Sequence, residues 1–92
     1  MSAHYPTKHP DAGDVVIDQW LDERGLRCPM PIVKLAKARS QYGDNTTVAL
    51  IADDPGAEQD VPAWCRLKGA EFLGVKRPKD DQPGWAYVVR FP

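Results

Sequence analysis

The stretch from Leu21 to Lys34 reads LDERGLRCPMPIVK, and the change of pattern inside it decides the fold. An apolar run arrives at Leu21, a turn containing Gly25 follows, and a helical pattern begins at Cys28 and Pro29. Proline suits the first turn of a helix, where its missing N–H costs little and its fixed φ already matches. A strand that hands over to a helix in this way opens a strand–helix–strand unit. Upstream, residues 15–22 (VVIDQWLD) are β-rich and partly alternating, which predicts a first strand. Downstream, Ile32, Leu35 and Ala36 fall at i, i+3 and i+4 with Val33 beside them, while Lys34 and Lys37 face out. This predicts a helix from Pro29 to about Tyr42, stopped by Gly43. Residues 46–52 (TTVALIA) are almost continuously apolar after the threonines, as suits a central strand covered on at least one face.

The rest of the chain completes the pattern. Asp53-Asp54-Pro55-Gly56 is a turn, and residues 57–68 read as a second helix ending at Gly69. Pro62 leaves two starts open: Asp60 as N-cap, or an irregular first turn at Ala57. Val61, Trp64, Cys65 and Leu67 give that helix an apolar stripe. Residues 71–76 predict a third strand, residues 79–84 a polar loop, and residues 85–91 a last strand. The order is βαβαββ. The first unit is expected to be a right-handed crossover with parallel strands, and the last two strands an antiparallel hairpin. The fold class is an α/β (α+β) two-layer sandwich: a four-stranded mixed sheet with two helices on one face. Residues 1–14 are expected to be a flexible tail and residues 15–92 the single domain.

Composition narrows the function. Ninety-two residues make one small domain with one core. Twelve basic and thirteen acidic residues leave a net charge of -1, so no global basic field argues for nucleic acid, and direct nucleic-acid binding is not expected. No apolar run approaches the roughly 18 residues of a membrane helix, and the first residues lack the layout of a signal peptide. The expected location is cytoplasmic, with no membrane partner. There are two cysteines, Cys28 and Cys65, and no CxxC pair, which excludes a zinc ribbon and a thioredoxin-like site. His4 and His9 stand five apart with no cysteine or carboxylate cluster, so they read as tail residues rather than metal ligands. No metal or cofactor is expected.

Cys28 carries the chemistry. At or beside a helix N-cap, orphan N–H groups and the positive end of the dipole favour an anion. A cysteine pKa there falls from about 8.5 to roughly 3.5–7.5. Arg24, Arg27, Lys34, Lys37 and Arg39 lie close in sequence, with no Asp or Glu from Arg24 to Ser40. Pro29 and Pro31 stiffen the helix start and Gly25 shapes the loop. Against this stands the ordinary habit of free cysteine, which is burial. No histidine outside the tail could serve as base for a hydrolase, and no phosphate-binding glycine loop appears. What remains is a nucleophilic sulfur without acid–base machinery, the profile of a carrier. Asp53, Asp54 and Asp60 are explained by turn formation and capping, and Trp64 and Trp85 by core packing.

The stretch from Leu21 to Pro31 resembles the signature of the TusA/SirA sulfur-carrier family, whose CPxP cysteine carries a persulfide. A second block is also similar: IADDP at 51–55, followed by DVPAWC at 60–65. The likeness covers about residues 17 to 91 and implies a two-layer α/β sandwich. It implies that Cys28 accepts sulfur from a cysteine desulfurase or a rhodanese-type donor and passes it to the thiol of an acceptor protein. Such relays serve tRNA thiolation or sulfur oxidation, among other pathways. The chain would be a sulfurtransferase-type persulfide carrier rather than an autonomous catalyst. Gly25, Pro29 and Pro31 would shape the site. Arg24, Arg27 and Lys34 would stabilise anionic sulfur and meet a partner. Cys65 matches a cysteine in some relatives and, lying on the apolar stripe, is expected to be packed; a disulfide with Cys28 stays open. The alternative is a non-catalytic protein- or RNA-binding regulatory module on the same fold.

Overall fold

The computed structural model describes residues 11–27, 29–78 and 83–92. The elements are β1 (Gln19–Asp22), α1 (Met30–Tyr42), β2 (Thr47–Ala52), α2 (Ala57–Lys68), β3 (Glu71–Lys76) and β4 (Trp85–Arg90). They form one mixed sheet in the order β1-β2-β4-β3. β1 runs parallel to β2, with Gln19 opposite Val48 and Asp22 opposite Ile51. β4 is antiparallel to both β2 and β3. The expected βαβαββ mixed sandwich is the observed one.

β2 lies inside the sheet and is buried at all six positions, which is why its sequence is apolar without alternation. Val48, Leu50 and Ala52 join Tyr87 and Val89 on one face; Ala49 and Ile51 join Ala86 and Val88 on the other. Both helices cover the first face. α1 contributes Leu35 and Ala38, and α2 contributes Ala57, Val61, Trp64 and Cys65. Phe91 closes that core and meets Trp64 edge-on, ring centres 6.1 Å apart. Phe72 and Val75 also belong to this core although they stand three positions apart. A strand would place them on opposite faces. A register shift between Phe72 and Gly74 supplies the extra residue, and Gly74 takes φ 124°, which a side chain would resist.

The first strand starts later than expected, the open choice for the start of the second helix is settled at Ala57, and Leu67 leaves its expected stripe. The first strand begins at Gln19, not at residue 15. Val15 and Ile17 pack against the sheet's second face, while Val16 between them is 80% exposed. Burial therefore alternates over residues 15–17, which lie on a face of the sheet without pairing in its ladder. Pairing starts where the Asp18 N–H reaches the Thr47 carbonyl at 2.8 Å and the Thr47 N–H reaches the Asp18 carboxylate at 2.9 Å. The second helix begins at Ala57 after Gly56, and Asp60 lies within its first turn, donating its N–H to the Gly56 carbonyl. Pro62 is buried inside this helix; its ring removes one N–H donor without ending the helix. Leu67 is 78% exposed and stands off the buried stripe. At 3.6 residues per turn it lies about 120° round from the middle of the face made by Val61, Trp64 and Cys65.

Of the segment 1–14, residues 1–10, with His4 and His9, lie outside the described residues, as do residues 79–82 of the polar loop. Asp11 forms a parallel bridge with Val75, and the Ala12 N–H donates to the Val75 carbonyl at 2.7 Å.

Candidate functional site

The loop between β1 and α1 is tied down from three sides. The Glu23 N–H donates to the Ile51 carbonyl at 2.8 Å, which extends the β1–β2 ladder past the end of β1. The Leu26 N–H donates back to the Glu23 carbonyl at 3.3 Å, closing a turn in which Gly25 takes φ 88°. That left-handed conformation is easy for glycine and strained for a side chain. The Gly25 N–H then donates to the Asp53 carboxylate at 3.0 Å. A residue of the first block is thus locked to a residue of the second, 28 positions on. Gly25, Arg27, Asp53 and Asp54 line a cleft of about 180 Å³. Asp54 caps the turn into α2 through the Gly56 N–H at 3.1 Å. Sequence reasoning read Asp53 only as a turn residue. The signal that could have found its second role is the IADDP block, which pairs it in order with the CPxP block.

Arg24 is one of the loop's clamps. Its Nε and Nη2 donate to the two carboxylate oxygens of Asp22 at 2.9 and 2.6 Å. Its Nη1 reaches the Pro83 carbonyl at 3.4 Å. The guanidinium beside Asp22 holds that carboxyl below its ordinary value, chiefly through these hydrogen bonds and against the opposing effect of partial burial. The side chain of Arg24 is only 17% exposed, so its charge is directed at Asp22 and the loop before β4. Gly84 in that loop comes so close to β2 that a Cβ would lie 2.9 Å from the Ala52 carbonyl oxygen.

Cys28 lies outside the described residues. The residues on either side of it, Arg27 and Pro29, are both exposed. Pro29 is the N-cap of α1, and no side chain caps the helix. Pro31, in the first turn, is fully buried, so it pins the start of α1 to the core. The two prolines of the CPxP motif therefore differ: Pro29 is a surface residue and Pro31 an anchor. The N–H groups of this first turn are not orphans. The Met30 N–H donates to the Arg27 carbonyl at 2.7 Å, and the Ile32 and Val33 N–H groups both donate to the Pro29 carbonyl at 3.0 Å. Proline supplies no donor at positions 29 and 31. The expected anion preference therefore rests on the axial dipole and on local charge rather than on unpaired donors. That first turn contains no acidic residue. Lys34 is half-buried on the next turn and Lys37 is exposed, while Arg39 near the end of α1 pairs with Asp44 at 3.1 Å.

Cys65 is packed, as expected, with 2% exposure. Burial pushes its thiol up to about 11, with Arg66 pulling slightly the other way. Such a thiol is neutral at physiological pH and a poor nucleophile. Trp64 is also in the core. Between α1 and α2, Pro29, Ile32, Trp64 and Leu67 line an apolar depression of about 310 Å³. Among the described residues, no group of three or more His, Cys, Asp or Glu could hold a metal ion, and no helix is long and apolar enough to cross a membrane.

The structure thus brings together two blocks that are separate in sequence, and a comparison with protein families matches both in one span. The family model described as Sulfurtransferase TusA matches residues 19–90, which runs from the first residue of β1 to the last of β4. The chain therefore belongs to the TusA sulfurtransferase family, and its role in general terms is that of a sulfur carrier.

Proposed function

We propose that Cys28 is the carrying atom and that this chain relays sulfur as a cysteine persulfide. The observation that supports this most is the setting of its neighbours: Arg27 and Pro29 are exposed at the start of a helix whose first turn contains no acid. A thiolate placed between them would be accessible to a partner and favoured by dipole and charge.

The chemistry needs little else. A donor persulfide, from a cysteine desulfurase or a rhodanese-type protein, presents its outer sulfur. The Cys28 thiolate attacks that atom, a new S–S bond forms, and the donor's S–S bond breaks to release the donor thiolate. The electrons balance, because one persulfide is exchanged for another. In the second step the thiolate of an acceptor protein attacks the outer sulfur on Cys28, takes it, and leaves Cys28 as thiolate. Gly25, Pro29 and Pro31 shape the site. Arg27 and Lys34 provide the positive surroundings and meet an acidic partner. Arg24 acts through the loop, since its guanidinium is held by Asp22. Cys65, neutral and buried, takes no part in the transfer.

Intact mass after incubation with an active cysteine desulfurase and cysteine tests the reading. One added sulfur on the wild type, lost on reduction and missing in Cys28→Ser, is the expected result. No sulfur on Cys28 while the desulfurase turns over would favour the regulatory-module alternative.

A further inference from the structure

A cavity of about 300 Å³ lies between the turn that follows β2 and the start of β4. Asp53, Asp54 and Glu58 supply carboxylates to it, and Trp85 and Tyr87 supply an aromatic wall. It adjoins the cleft beside Gly25 and Arg27, with Asp53 and Asp54 common to both. The sulfur transfer uses neither aromatic residue.

Tyr87 makes the cavity more than an acidic rim. Only 3% of this residue is exposed, yet it lines the cavity. A buried tyrosine hydroxyl ordinarily finds a partner. That of Tyr87 has none among the described residues. No wholly enclosed side-chain oxygen or nitrogen among those residues lacks a partner, so the Tyr87 hydroxyl opens into the cavity rather than into the core. Burial, and then the charges of Glu58 and Asp54, raise the phenol, so it keeps its proton and its oxygen remains a neutral acceptor. Asp53 and Asp54 each accept one backbone N–H, from Gly25 and Gly56, and a carboxylate has room for more than one donor.

The walls also say what kind of cation fits. Among the described residues no three acids converge closely enough to hold a metal ion, so these carboxylates surround a wider object. Trp85 already carries such an object on its ring: the Arg77 guanidinium stands 5.8 Å from its centre, and Arg77 is not one of the cavity's walls. A guanidinium is planar and weakly hydrated, stacks on aromatic faces, and donates in a fork that matches carboxylates. An ammonium is compact and strongly hydrated, so it loses more on entering an aromatic-lined space. We propose that this cavity binds a guanidinium group, packed against the aromatic wall and donating its N–H groups to the Tyr87 hydroxyl and to Asp53 and Asp54, with Glu58 adding charge at the rim.

The test titrates the full chain, Cys28 unloaded, with methylguanidinium at constant ionic strength and follows amide and indole N–H signals by nuclear magnetic resonance. Saturable shifts at residues 52–58 and 84–87 are expected, with methylammonium binding several-fold more weakly. Tyr87→Phe keeps the ring and Asp54→Asn keeps an oxygen for the Gly56 N–H; each is expected to weaken binding several-fold. Glu71→Gln, an exposed acid on β3 outside the cavity, is expected to bind as the wild type does. Shifts that do not saturate, equal binding of methylammonium, or unchanged binding in Tyr87→Phe and Asp54→Asn overturns the proposal, as do saturable shifts there with magnesium ion and none with methylguanidinium. Should Tyr87→Phe lose its folded spectrum, Asp54→Asn decides alone. A capped Gly-Arg-Gly peptide then separates two sources of the group. Binding as tight as that of methylguanidinium supports an arginine side chain of another protein, and exclusion of the peptide supports a small free cation in the same cavity. No sulfur is transferred in these titrations, so their failure leaves the carrier reading untouched.

Discussion

The hydrogen bond from the Gly25 N–H to the Asp53 carboxylate is small, but it joins the two blocks that define the site. Gly25 has no steric reason to remain glycine, since a Cβ there would meet nothing within 4 Å; the reason is its φ of 88°. Asp53 fixes the other side of the contact. Replacing it with alanine leaves an exposed N–H that water can satisfy, so the stability cost should be modest, about 1 kcal/mol or less. The effect on function should be larger, because the loop that leads to Cys28 loses its tether to β2. Asp53→Ala is expected to load sulfur several-fold more slowly at nearly unchanged melting temperature. Equal loading rates in stopped-time mass spectrometry would show that the tether does not position the loop. The clamp of Arg24 on Asp22 adds a weaker hold, since Asp22 is largely exposed and a surface ion pair contributes little.

Helix periodicity makes both helices readable in the sequence, and the simplest packing of βαβαββ puts them on one face. The continuous apolar run of residues 46–52 likewise marks a central strand covered on at least one face, which the structure buries at all six positions of β2, and β3 runs from Glu71 to Lys76 as its residues indicate. Pattern failed where one signal has two causes. Residues 15–17 are all apolar and β-prone, and composition alone does not separate lying on a sheet face from pairing in its ladder. Leu67 looked like core because it is apolar, yet its angle on α2 carries it to the surface. The state of the α1 N-terminus was also hidden, because which donors are already used depends on the turn ahead of it. The inner face of α2 yields a prediction of its own. Burial pushes the Cys65 thiol up to about 11 in the folded protein, well above the ordinary range of about 8.5–9. A group that holds its proton more tightly when folded adds stability that is complete below pH 9 and disappears as the pH climbs to about 11. The loss is at most about 2–3 kcal/mol. Tyr87, pushed up to about 12 by burial and then by Glu58 and Asp54, adds a further loss above pH 10. In urea titrations the wild type should therefore lose more stability than Cys65→Ala between pH 9 and 11. Parallel curves for the two proteins would remove Cys65 as a cause.

Taken as a whole, the molecule divides its labour between the faces of one sheet. The helix side holds the main core and sends α1 out toward the site, while the other side is closed by the chain's own residues 12–17. Charge is divided as well. The net charge is -1, yet residues 24–40 hold only cations. Such a run suits the acidic partner proposed for the relay. The family and the general role rest on the match over residues 19–90. The proposed role of Cys28 carries a narrower expectation: its sulfur is an anion at neutral pH, and that of Cys65 is not. The rate of iodoacetamide alkylation at Cys28, followed by peptide mass across pH 4 to 10 in a Cys65→Ala background, measures this directly. The account predicts a midpoint within the roughly 3.5–7.5 range of activated thiols. A midpoint at or above the ordinary value of about 8.5 would contradict it.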